Sequence, residues 1–81
     1  MTETAAKNLM QLAWDETSES DKTSGRRINC EMAGGHLVRI YTKSSLLTKP
    51  MIQMTSDGYS FEVNVGASGK LGKIRSWKHG K

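Results

Sequence analysis

The chain of 81 residues contains one cysteine, Cys30, and one proline, Pro50. A lone cysteine excludes an internal disulfide, so a reducing compartment is the default expectation. Cys30 reads as a small buried hydrophobe rather than a nucleophile. No apolar run approaches the length of a membrane span. No charged-then-apolar N-terminal stretch resembles a signal peptide. The chain is therefore read as cytoplasmic, or delivered by its host into a cytosol, with no membrane partner.

Histidine is scarce as well. His36 and His79 stand at no metal-ligand spacing with Cys30, and nothing nearby orients either as a general base. The acidic stretch 15–25 lacks the alternating ligands and central glycine of a calcium loop. Gly66, Gly69 and Gly72 surround Lys70 but miss the phosphate-loop pattern: Asn64 stands where its first glycine belongs, and Leu71 follows Lys70 where Ser or Thr is needed. Backbone N–H groups there, beside Lys70 and Lys73, still offer a candidate phosphate cradle. No catalytic, metal or cofactor-binding residue is assigned, and the chain is read as non-enzymatic.

Charge is present but uneven. Residues 1–21 hold five acids against Lys7, a balance of −4, and residues 22–81 hold eleven Lys and Arg against three acids, a balance of +8. A chain this long forms one small domain, 1–81, of modest stability.

The strongest local signal is Asp57-Gly58, which suits a two-residue type I′ hairpin turn. It sets Ser56 opposite Tyr59, Met54 opposite Phe61, Ile52 opposite Val63 and Pro50 opposite Val65, all on one apolar face. Thr55, Gln53 and Met51 face Ser60, Glu62 and Asn64 on the other. A one-residue slip would destroy that sorting. Ser68-Gly69 is a second turn. It predicts Ala67 opposite Lys70, Val63 opposite Ile74, Glu62 opposite Arg75 and Ser60 opposite Trp77. Residues 50–77 thus form a three-stranded meander, with Pro50 at a strand start where its missing N–H costs least.

Upstream, 1–16 predicts one helix, with Thr2 or Thr4 as N-cap and an apolar stripe of Ala5, Leu9, Leu12 and Ala13, widened by Ala6, Met10 and Trp14. Its alternative use is docking into a partner groove. Residues 17–25 read as an acidic loop. Ser18 and Ser20 among its acids suggest phosphorylation sites, against the plainer reading of a solvated linker. Residues 26–42 read as a hairpin about Ala33-Gly34-Gly35, whose three-residue loop aligns Cys30 with Val38 and Ile28 with Ile40. Arg27, Asn29, Glu31, Leu37, Arg39 and Tyr41 then face outward. Leu46 and Leu47 anchor the link between hairpins, and 78–81 is a basic tail.

The fold expected is α+β: an N-terminal helix packed on a four- to five-stranded antiparallel sheet. Its predicted core is Leu9, Leu12, Ala13, Ile28, Cys30, Met32, Val38, Ile40, Ile52, Met54, Phe61, Val63, Val65 and Ile74.

Trp77 is the unusual residue, because its register puts it on the polar face. Either it packs beneath the helix or a neighbouring strand, or it is exposed, flanked by Lys73, Arg75 and Lys78. The exposed alternative suits nucleic acid or a nucleic-acid-handling complex. Lys73, Arg75 and Lys78 would meet phosphates, with Lys70, Arg39 and Arg27 in support. Trp77, with Tyr41 or Tyr59, would stack on bases. The competing expectation is a compact inhibitor or adaptor of phage or mobile-element type, for anti-defence or host takeover, with Trp77 and Arg75 anchoring a protein interface. An edge strand would admit pairing with a partner or a homodimer.

Overall fold

The computed structural model describes residues 1–42 and 49–78. The expectations for Leu46, Leu47, His79 and the end of the tail lie outside the described residues.

Helix α1 spans Glu3–Glu16. Thr2 caps it, its hydroxyl accepting from the N–H of Ala5 at 3.1 Å. The helix interior has no Gly or Pro to interrupt it. It ends at Thr17, whose N–H donates to the Trp14 carbonyl and whose hydroxyl donates to that of Ala13 at 2.8 Å. The stretch expected to be wholly loop contains a further helical turn, α2, at Glu19–Lys22. Ser18 caps it by accepting from the N–H of Asp21. The ammonium of Lys22 then lies 4.8 Å over the ring of Trp14, which fixes this turn against α1.

Five strands follow: β1 Arg27–Glu31, β2 Leu37–Tyr41, β3 Met51–Ser56, β4 Tyr59–Asn64 and β5 Arg75–Lys78. They form one antiparallel sheet in the order β1-β2-β3-β4-β5. The first hairpin has the three-residue loop expected, with Cys30 opposite Val38 and Ile28 opposite Ile40. The second has the register set by Asp57-Gly58, from Ser56–Tyr59 through Ile52–Val63. Asp57 and Gly58 both have positive φ, 54° and 81°, as a type I′ turn requires. Pairing of β2 with β3, Val38 opposite Met54 and Ile40 opposite Ile52, joins the two hairpins.

The β4–β5 connection departs from expectation. Gly66 donates to Lys70 and Gly72 donates to Asn64, and Val65 bridges Leu71. Beyond them Glu62 still faces Arg75, and Ser60 still faces Trp77. Lys73 and Ile74 therefore stand where the facing strand offers only Val63. This is a bulge of one residue. The loop before it has three residues, 67–69, closed by the Gly66–Lys70 pair, and not the two-residue Ser68-Gly69 turn expected, so the Ala67–Lys70 pair is not made and Leu71, opposite Val65, turns into the core. The bulge takes the place of the Val63–Ile74 pair and restores the expected register beyond it.

Helix α1 crosses one face of the sheet against β2, β3 and β4. The core comprises Ala6, Met10, Ala13, Trp14, Met32, Val38, Ile40, Ile52, Met54, Phe61, Val63, Val65 and Leu71, with Leu9, Ile28, Cys30 and Ile74 at its margin. The helix is rotated from the expected stripe. Ala6, Met10 and Ala13 point inward, while Ala5 is exposed and Leu12 stays 46% exposed. Met10, fully buried, contributes roughly 1.5–3 kcal/mol by leaving water.

Candidate functional site

The helix covers one face of the sheet. Alternation assigns the side chains of the other face: Arg27, Asn29 and Glu31 on β1, Leu37, Arg39 and Tyr41 on β2, Met51, Gln53 and Thr55 on β3, Ser60, Glu62 and Asn64 on β4, and Arg75 and Trp77 on β5. Among the described elements none packs over this face.

The registers align one residue from each strand into a polar row running from edge to edge: Asn29, Arg39, Gln53, Glu62 and Arg75. Glu62 is the acceptor of this row. Arg75 donates to its Oε2 at 2.8 Å and to Asn64 Oδ1 at 3.2 Å. The side-chain amide of Gln53 donates to Glu62 Oε1 at 3.4 Å. Arg75 is thus held by its neighbours. Arg27 and Arg39 have no ion-pair partner among the described residues.

Trp77 stands opposite Ser60 and is 46% exposed. It borders a depression of about 130 Å³ lined by Arg39, Gln53, Met54, Thr55, Ser60, Phe61 and Trp77. An indole this open, sharing a depression with a guanidinium that has no ion-pair partner among the described residues, is an unusual thing for a small domain to present. Pockets that enclose a drug-sized ligand run to roughly 300–1,000 Å³. This depression suits a group laid on the surface rather than a molecule taken inside.

The open face brings together Arg27, Arg39, Tyr41, Arg75 and Trp77. Lys78 does not join them. It pairs with Tyr59, one step along β5 from Trp77, so alternation turns it to the helix side. Ser76 points that way too, its hydroxyl donating to Glu3 Oε2 at 2.5 Å. Tyr59 lies on the helix side for the same reason, its ring centroid 6.4 Å from that of Phe61. Lys70 sits at the other end of the sheet, opposite Gly66, about 20 Å along β4 from the position of Trp77. Lys73 is exposed in the bulge. The phosphate cradle expected around Lys70 is occupied internally: Gly66, Gly69 and Gly72 donate to backbone carbonyls, and Leu71 donates to Gln11 Oε1. Leu37, Gln53, Thr55 and Ser60 border the face or its depression without being among the expected contact residues. The register alone would have placed them there.

Cys30 lies on the helix side of β1. Burial pushes its thiol pKa up, a hydrogen bond with Thr17 opposes the shift, and the charge of Glu16 adds to it. Such a thiol is a poor nucleophile at neutral pH. Among the described residues no three His, Cys, Asp or Glu side chains are grouped to hold a metal ion, and no helix is long and apolar enough to cross a membrane.

No protein-family model matches the chain, and neither does any curated protein or solved structure.

Proposed function

We propose that this is a non-enzymatic, cytoplasmic binding module whose open sheet face takes single-stranded nucleic acid. The observation that carries the reading is the half-exposed Trp77 sharing a depression with Arg39, which has no ion-pair partner among the described residues. Base–aromatic stacking needs an accessible indole face and contributes about 1–3 kcal/mol per base. Arginine supplies the phosphate contact and counterion release that give such binding its salt dependence. The +8 balance of residues 22–81 adds long-range attraction for a polyanion. A five-stranded face spans about 20 Å, too broad to enter a DNA major groove of about 12 Å. Splayed bases laid across the surface fit it better. Tyr41 lies three strands and two rows from Trp77, about 20 Å on sheet spacing, so both rings would serve one strand of several nucleotides.

A second reading is a compact inhibitor or adaptor of phage or mobile-element type, docking on a host protein. Leu37 and Trp77, 42% and 46% exposed, support it as apolar anchors on the same face.

The test is a titration of labelled single-stranded DNA, single-stranded RNA and duplex DNA at low and moderate salt. Wild type, Trp77→Ala, Arg39→Ala and Leu37→Ala would be compared. Micromolar single-strand binding that falls steeply with salt and weakens in the Trp77 and Arg39 variants supports the nucleic-acid reading. Absence of binding at low salt removes it.

A further inference from the structure

Strand β1 is an edge of the sheet, and its outer backbone groups can be identified. Met32 donates to the His36 carbonyl, and Thr42 donates to that of Arg26. Both bonds lie at even-numbered positions of the first hairpin. Alternation along an antiparallel ladder then turns the backbone groups of Ile28 and Cys30 toward β2 and those of Arg27, Asn29 and Glu31 outward. Among the described residues these outward groups have no backbone partner. They form a template of three residues, each presenting one N–H and one C=O.

The side chains of β1 are symmetric in character about Asn29. Arg27 stands two residues before it and Glu31 two residues after, both on the open face. Ile28 and Cys30 flank it on the helix side, both only partly buried. We propose that two copies of the chain associate through β1, antiparallel, about a twofold axis that passes between their Asn29 residues. Arg27 of each copy then faces Glu31 of the other, Ile28 faces Cys30, and Asn29 faces Asn29. The outward groups match in the same register, giving six backbone hydrogen bonds from three paired positions. The result is one ten-stranded sheet with both helices on one side and both open faces on the other.

No other register allowed by the outward groups does as well. A twofold at Arg27 sets arginine against arginine, and one at Glu31 sets glutamate against glutamate. Axes at Ile28 or Cys30 leave the Arg27–Glu31 pairs unmade. The opposite edge is no substitute: β5 carries Arg75 and Lys78 and no acid, so two copies of it repel. The interface is isologous and closed, and so stops at two copies. A single strand pair buries little area, which implies a weak, concentration-dependent dimer.

This inference stands apart from the nucleic-acid reading, because the dimer is measured with no ligand present. It also alters that reading in one respect. Arg27 is taken up by Glu31 of the second copy, leaving Arg39 as the open-face arginine with no ion-pair partner among the described residues.

The test is sedimentation of the full chain at concentrations up to roughly 1 mM. Wild type is expected to dimerise reversibly. Arg27→Glu and Glu31→Arg, both at exposed positions, should each weaken the dimer at least about tenfold, because each sets like charges opposite one another twice. Mixing these two variants should restore association as a heterodimer, since one then carries only acids and the other only bases at the facing positions. The double variant Arg27→Glu/Glu31→Arg should recover the homodimer. Asn29→Cys in a Cys30→Ser background places two thiols across the axis, with Cα atoms about 5.5 Å apart, within disulfide range, and should cross-link on mild oxidation. In the wild type the two Cys30 residues are diagonal, about 8 Å apart, and should not. A monomer throughout the concentration range, or a mixture no better associated than its components, would overturn the proposal. So would wild type that cross-links through Cys30 while the Asn29→Cys variant does not.

Discussion

The side-chain oxygen of Gln11 accepts the backbone N–H of Leu71 at 3.2 Å while its amide nitrogen donates to the Gly69 carbonyl at 3.1 Å. One side chain of α1 thereby holds the turn and the return limb of the β4–β5 connection. Gln11→Ala leaves the Leu71 N–H without that acceptor in a part-buried setting and is expected to cost about 1–3 kcal/mol. Gln11→Glu keeps the acceptor, loses the donor and should cost less. Urea unfolding of the three proteins checks the order.

The rotation of α1 makes a second prediction. Met10 is fully buried and Leu12 is 46% exposed. Met10→Ala should destabilise by about 2–5 kcal/mol and Leu12→Ala by under about 1 kcal/mol. Thermal midpoints of the two variants measure the difference. The reverse order would mean that the helix presents its other flank to the sheet.

Arg75 is held by Glu62 and Asn64, and that restraint is testable. The ion pair is about half exposed on its arginine side, so Glu62→Gln should cost at most about 1 kcal/mol of stability. The same change frees a guanidinium on the open face. If the face binds single-stranded nucleic acid, the variant should bind more tightly than wild type, and its salt dependence should steepen by about one phosphate contact. Unchanged affinity would separate Arg75 from the binding surface.

Cys30 yields a pH prediction. Its thiol pKa is raised in the folded chain, chiefly by burial. A raised folded value means the contribution to stability is fully present below the unfolded pKa. It is lost as pH rises from there through the folded value. Wild type should therefore lose stability relative to Cys30→Ala above about pH 8.5. Iodoacetamide at neutral pH should modify Cys30 more slowly in the folded protein than in urea.

Register is legible wherever a turn residue dictates it. Asp57-Gly58 sets β3 against β4, and polarity on both faces agrees with it. The same reasoning puts Trp77 on the open face. Other features leave weaker traces. The bulge at Lys73 and Ile74 cannot be read by counting back from the turn, because a three-residue loop followed by a one-residue bulge gives the same Glu62–Arg75 and Ser60–Trp77 pairs as a two-residue turn with no bulge. Leu71 is consequently missing from the expected core. The helix face is ambiguous because Ala5, Ala6, Leu12 and Ala13 are all apolar, so two stripes about one residue apart compete. Packing against the β4–β5 connection, through Gln11 and Trp14, selects between them. Lys78 is different: alternation from Trp77 already turns it away, and proximity in sequence obscures that. The pairing of β2 with β3 depends on tertiary packing that no turn motif announces.

Each strand pairs with the strand next to it in the chain. Every step of sheet assembly therefore closes a short loop, at little entropic cost, and the sheet is able to grow in the order in which its residues leave the ribosome. The helix obeys the opposite rule. It is made before the strands, yet its binding surface spans β2 to β4 and the turn beyond, so it must wait until that turn is available. The helix thus precedes every strand it packs against, and for that interval its Met10 and Trp14 face water or a chaperone in place of the sheet.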